Sequence, residues 1–224
     1  MAKKQLRTVV FIDGQNMFKG AREAFGWKHE KSHYGNFRPF QLAKVLTQQD
    51  SRELTQARFY QGMPDPRRDK RGNAITNRRI AAWQRDSPDL LKITTRTLRY
   101  PPTEGREKGI DVQLAIDLVS MAYDDEYDLA VLASADTDLI PAVQFVVERY
   151  PLKLVECVAW EPLPECADDA AAPLDVRTKG VLRRMIPQSD WDTCSDKRDF
   201  TRMQDVSGPM LPGQSGRQLP PGRG

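Results

Sequence analysis

The chain has 224 residues, 39% hydrophobic and 29% charged, with a formal net charge of +3. This fits one soluble α/β-sized domain plus a tail. No apolar run approaches the roughly 20 residues of a membrane span, and the basic start, Met1 to Arg7, precedes too short an apolar stretch for a signal peptide, so no membrane anchor is expected. Three cysteines without a C-x-x-C pair point to a reducing cytoplasm, and two histidines leave little for Ser–His or Cys–His catalysis.

In chain order, Thr8–Ile12 is a short apolar, β-branched run that stops at Asp13-Gly14, which predicts a buried strand ending in a turn. Helical spacing follows over Asn16–Phe25 and again over Phe40–Leu46, with Pro39 suited to a first turn. Gln56–Gln61 reads as a strand, Gly62–Gly72 as a Pro/Arg-rich loop, Ile75–Trp83 as a helix and Leu91–Leu98 as a strand. Val112–Met121 is an amphipathic helix, Leu129–Ala133 a buried strand, Leu139–Arg149 a helix and Leu152–Ala159 a strand. Val176–Ile186 is expected to be a last helix. Strands alternating with helices imply right-handed crossovers and a mostly parallel central sheet of about five strands between helical layers. The expected domain is residues 1–186, with 187–224 a flexible tail. From Val206 onward, 19 residues hold five Gly and four Pro and almost nothing to bury.

Charge is unevenly divided. Residues 1–110 carry 23 Lys+Arg against 11 Asp+Glu, and residues 111–224 carry 11 against 20. A basic half facing an acidic half suits a protein that holds a polyanion against metal-binding carboxylates, although the charges can equally intermix on folding.

Acidic residues stand where a parallel sheet places chemistry, beyond the carboxyl ends of its strands. Asp13 follows the first strand directly. Asp136 and Asp138 follow Leu129–Ala133 after Ser134-Ala135. Asp111 opens the helix leading into that strand. Each has a plainer reading: Asp13-Gly14 as a turn, Thr137 or Asp138 as a cap for the next helix, Asp111 as a helix-start charge. Asp117 lies on another face of its helix and reads as structural. Together the four imply a cation, because two carboxylates about 5 Å apart repel by roughly 3 kcal/mol at an effective dielectric near 20. An all-carboxylate set favours Mg²⁺ or Mn²⁺ over Zn²⁺.

Phe11-Ile-Asp-Gly-Gln-Asn-Met-Phe18, Lys108-Gly-Ile-Asp-Val112 and Leu132-Ala-Ser-Ala-Asp-Thr-Asp-Leu139 resemble, in order and separation, the three motifs of NYN domains, the LabA-like branch of PIN-like nucleases. The resemblance covers roughly Arg7–Trp160. It implies a Rossmann-like, PIN-like three-layer sandwich and metal-dependent RNA cleavage leaving a 5′-phosphate and a 3′-hydroxyl. It carries the metal-site aspartates to Asp13, Asp111, Asp136 and Asp138, and the polar helper of the first motif to Asn16. Where the family commonly reads Ser-Gly-Asp-Ser-Asp, this chain has Ala135 and Thr137. Hydrolysis would use a metal-activated water rather than a protein nucleophile. Asn16 is placed to orient that water or a phosphate oxygen, and Lys108 and Ser134 to contact the substrate. A catalytically weak RNA-binding regulatory module of the same fold is the alternative, and homo-oligomerisation is left open.

The densest positive cluster, Arg67, Arg68, Lys70, Arg71, Arg78 and Arg79, follows a strand and is expected to border the same sheet edge as a phosphate-binding face. Tyr60, Trp83 and Tyr100 read as core or as platforms for unpaired bases. His29-Glu30-Lys-Ser-His33 matches the H-E-x-x-H pattern of zinc hydrolases. Flanking Gly26 and Gly35, crowding lysines and the lack of an apolar stripe make a connecting loop the better reading.

Overall fold

The computed structural model describes residues 4–31, 33–49, 51–87, 89–100, 109–168 and 170–202. The elements in chain order are β1 (Leu6–Asp13), α1 (Gly14–Ala24), α2 (Pro39–Leu46), β2 (Arg52–Met63), α3 (Lys70–Asp86), β3 (Leu91–Thr97) and α4 (Ile110–Tyr123). They continue with β4 (Leu129–Ala133), a single 3₁₀ turn over Thr137–Leu139, α5 (Ile140–Arg149), β5 (Leu154–Trp160), β6 (Val181–Ile186) and α6 (Gln188–Cys194).

All five strand ladders are parallel, and the sheet order is β3-β2-β1-β4-β5-β6. β1 therefore lies beside β2 on one flank and beside β4 on the other. The chain winds outward from β1 to β3, then crosses back to begin again at β4. Between β1 and β4 the direction of winding reverses, and the connections leave the strands' carboxyl ends on opposite sides. That divergence opens a crevice, the usual ligand site of such sheets.

Strand alternation divides the core into two layers, as two-sided burial of a parallel sheet demands. Val10, Ile12, Phe59, Val158 and Trp160 face Met17, Leu42, Leu46, Trp83 and Trp191 from α1, α2, α3 and α6. Val9, Phe11, Leu132, Val155 and Cys157 face Leu114, Leu118, Val143 and Val146 from α4 and α5. Glu156 and Asp117 within these layers are paired. Glu156, 4% exposed, accepts from Arg52 and Arg184, and both guanidiniums also bond the carbonyl of Leu46 at the end of α2. Asp117, which the sequence reads as structural, accepts from Arg58, the Tyr60 hydroxyl and Gln113. All three cysteines are free.

Two expectations need correction. Val176–Ile186 is not a helix, because Val181–Ile186 pairs with Val155–Trp160 as a sixth, edge strand. The folded part also does not end at Ile186. Beyond it, α6 places Trp191 against Trp27 (ring centroids 4.5 Å) and Phe25 (6.3 Å), and Cys194 and Phe200 are buried too. Apolar residues spaced along 191–200 supply enough contact to order a stretch whose polar composition reads as tail. Residues 203–224, including the Gly/Pro-rich end from Val206, lie outside the described residues.

Candidate metal centre

β1 ends at Asp13, whose extended backbone (φ −76°, ψ 104°) makes it the N-cap of α1. The strand-to-helix turn is tight. A Cβ on Gly14 would fall 2.3 Å from the Phe59 ring and 2.9 Å from the Tyr60 carbonyl, so only glycine lets α1 start directly over β2. Asp13 Oδ1 accepts from the Asn16 amide (3.0 Å) and Oδ2 from Ser134 Oγ (3.1 Å). Its carboxyl is pushed above the usual carboxylate range by burial and by the charge of Asp136, against the opposing pull of those hydrogen bonds.

β4 feeds the other half. Ser134 Oγ accepts from the Asp136 amide (3.1 Å), and Asp136 Oδ1 accepts from the Asp138 amide (3.0 Å), capping the 3₁₀ turn. Asp111 sits in the first turn of α4, where the helix dipole favours an anion, behind Gly109 in the left-handed region (φ 77°). Asp111, Asp136 and Asp138 each present a carboxylate oxygen within 4.8 Å of the others. α4 and the β4 exit thus face one another.

Of the four expected ligands, three form this trio. Asp13 lines a cavity with Asn16, Lys19 and two of the trio, Asp111 and Asp136, but stands outside the trio, held by its two donors. The donor set is oxygen-only and like-charged at short range, which fits a hard divalent cation such as Mg²⁺ or Mn²⁺. Ser134, expected to contact substrate, faces inward instead. It is fully buried, and its hydroxyl links the Asp13 carboxylate to the Asp136 amide. Asn16 is also a positioning group, because its Oδ1 accepts from the Ala135 amide (2.9 Å). Ala135 is not among the residues with positive φ, so its methyl sits on ordinary backbone. Lys108 lies outside the described residues.

The basic cluster divides. Arg67, Arg68, Lys70 and Arg71 are exposed around the start of α3, with Arg67 paired to Asp65 (3.0 Å). Lys70 and Arg71 occupy a helix start that has no acidic residue in its first turn, where the dipole disfavours cations. Arg78 and Arg79 instead turn inward. Arg78 donates to the Phe200 carbonyl, and Arg79 lies over the Trp83 ring (5.0 Å). Tyr60 (1% exposed) and Trp83 (3%) are core residues and not base platforms, while Tyr100 is half-buried. The described residues of the His29–His33 stretch form turns and bends and no helix. The Arg22 guanidinium donates to the carbonyls of Lys28, Glu30, Lys31 and Tyr34, which organises it as a loop. A zinc hydrolase needs both imidazoles on one helical face, and that face does not exist here.

The NYN domain family model matches residues 7–170, a span that contains β1, α4 and β4 and hence every carboxylate above. The chain is an NYN-domain protein. It is also 28% identical over 154 residues to the low amplitude and bright protein LabA of Synechococcus elongatus, covering 65% of this chain and 70% of LabA. A crystal structure of a Vibrio parahaemolyticus protein of unknown function aligns with 82% of this chain and 95% of its own, at 19% identity and a TM-score of 0.49. NYN domains are a PIN-like nuclease family, and the trio and the Asp13 cap are this NYN domain's acidic centre. No described helix is long and apolar enough to cross a membrane.

Sequence reasoning overlooked Gln61 and Lys197, which line a cavity that shares Gln15 with this centre. For Gln61 the available signal was an amide at the carboxyl end of a buried strand. For Lys197 there was none, because it lies within the stretch read as tail.

Proposed function

We propose that this NYN-domain protein is a ribonuclease that hydrolyses RNA phosphodiester bonds with Mg²⁺ or Mn²⁺ held by Asp111, Asp136 and Asp138 and with Asp13 alongside. The observation that carries the reading is the meeting of three carboxylates within 4.8 Å at the crevice between β1 and β4. Three carboxylates this close form an oxygen-only donor set of the kind that suits a hard divalent cation. Bound there, the ion would neutralise a phosphate oxygen and ease deprotonation of an attacking water.

The chain's own residues do the rest. Ser134 and the Asn16 amide hold the Asp13 carboxylate with one face toward the cavity. Asn16 Oδ1 fixes the loop that carries Asp136. Arg68, Lys70 and Arg71, exposed beyond the end of β2, supply sequence-independent attraction for the RNA backbone. Ala135, the departure that favours an inactive binding module, sits on backbone without a positive φ.

The test is cleavage of a labelled single-stranded RNA by purified protein. EDTA should abolish it, excess Mg²⁺ or Mn²⁺ should restore it, and Asp136→Asn should remove it while the circular dichroism spectrum stays unchanged. Salt-sensitive RNA binding with no cleavage under any metal would instead assign the regulatory module.

A further inference from the structure

A second cavity adjoins the acidic one. It measures about 780 Å³ and shares Gln15 with the carboxylate cavity, which lies on the other side of the α1 start. That volume lies within the roughly 300–1,000 Å³ of small-molecule sites. Its character is opposite to its neighbour's. Phe18, half-buried, is the aromatic ring it exposes, over a floor of the buried Phe37, Phe59, Trp83 and Phe200, and Lys31 and Lys197 are exposed cations among the lining residues.

Arg79 is the decisive feature. Its Nη2 donates to Gln61 Oε1 (3.1 Å), and its Nη1 lies 3.5 Å from Asn36 Oδ1. Both partners are neutral amides. Its Nε is shielded from solvent and has no hydrogen-bond partner, and neither has Gln61 Nε2. Among the described residues no carboxylate forms an ion pair with Arg79. Asp196, whose field reaches it, is engaged by Arg198 at two points (2.8 Å each) and by Trp83 Nε1 (2.8 Å). A buried guanidinium facing only neutral acceptors is an expensive arrangement that an anion would relieve. Two unpartnered N–H groups, one of them the guanidinium's own Nε, match phosphate oxygens, and the Phe18 ring matches a base.

We propose that this cavity is a nucleotide pocket, in which Arg79 and Gln61 take a phosphate and the Phe18 ring takes the base of a substrate residue near the scissile bond. The placement relative to cleavage rests on the ribonuclease reading; the pocket itself does not. Arg79 thereby changes from a surface phosphate contact to the floor of a subsite.

The test titrates nucleoside 5′-monophosphates, the matching nucleosides and inorganic phosphate into the full chain in EDTA, following Trp fluorescence and heat. Monophosphates should bind, and nucleoside or phosphate alone should each bind about tenfold or more weaker, since each forgoes one half of the contacts. Gln61→Glu sets a carboxylate against Arg79 with almost no change of shape. It should raise the melting temperature and weaken monophosphate binding by about tenfold to a hundredfold. Arg79→Lys, which keeps charge but loses the fork, should weaken binding as well. Monophosphate affinity unchanged in Gln61→Glu, or equal affinity for phosphate alone, overturns the proposal. Binding lost in these variants but intact in Asp136→Asn, with no cleavage by the wild type, would sink the nuclease reading and leave the pocket. Metal-dependent cleavage without any monophosphate binding would do the reverse.

Discussion

Asn16 and Ala135 are joined by one hydrogen bond, 2.9 Å from the Ala135 amide to Asn16 Oδ1, that ties the start of α1 to the loop leaving β4. The same asparagine donates its own amide to Asp13 Oδ1. One side chain and one peptide thus connect both banks of the crevice, and the spacing between Asp13 and Asp136 depends on them.

Asn16→Ala should therefore lower RNA cleavage by about tenfold to a hundredfold while costing about 1 kcal/mol of stability, the scale of one lost hydrogen bond. Steady-state kinetics beside urea denaturation would check it. A purely structural role would show the stability loss with kcat unchanged.

Asp138→Asn relieves charge repulsion within the trio. At 4.8 Å, two carboxylates repel by about 3 kcal/mol at an effective dielectric near 20. The metal-free variant should melt higher than wild type, and the rise in melting temperature on adding Mn²⁺ should shrink. A thermal shift assay with and without Mn²⁺ gives both readings. A lower metal-free melting temperature would contradict the electrostatic account.

Gly14→Ala puts a methyl 2.3 Å from the Phe59 ring carbon and 2.9 Å from the Tyr60 carbonyl. The ring or the turn must shift, so a loss of about 1–3 kcal/mol is expected, as for an overpacked core. Because the turn positions Asp13, cleavage should fall as well. Chemical denaturation and an RNA cleavage assay on the same preparation would show the two losses together.

Stability should weaken in acid through Asp128. Hydrogen bonds from the Arg7 side chain and amide, working against burial, hold its carboxyl down to about 2, from an ordinary 3.8. A folded pKa below the unfolded one favours folding fully above the unfolded value, and the benefit disappears as pH falls from about 4 to about 2. The stability difference between wild type and Asp128→Asn should be constant above pH 5 and narrow below 4. Urea titrations across that range would test it, and a gap that widens in acid would refute it.

A chain ending at Ile186 would lose Trp191, Cys194 and Phe200 from the interior. Burial of side chains this large stabilises by roughly 1.5–3 kcal/mol each. This truncation should be markedly less stable than the full chain, with Trp27 and Phe25 newly exposed to quenchers. An unchanged denaturation midpoint would show that the last helix is merely appended.

The alternation of short apolar runs with amphipathic segments was enough to define the α/β class and five strands, because buried parallel strands and helices carry different hydrophobic periods. The three acidic motifs were readable for a related reason. Each sits within a few residues of a strand end or helix start, so local pattern fixes its place on the sheet edge. Val181–Ile186 defeated that reading because, as an edge strand, it leaves Leu182, Arg183 and Met185 exposed and shows no clean alternation. Other features depend on contacts between residues far apart in the chain. Asp111 meets Asp136 only because the sheet order brings α4 onto the β4 exit. Ser134 turned inward to Asp13, and Arg79 turned away from the basic surface to lie beside Gln61 over Trp83. No local pattern encodes such choices. They are made when packing brings distant segments together and each buried polar group must find a partner or await one.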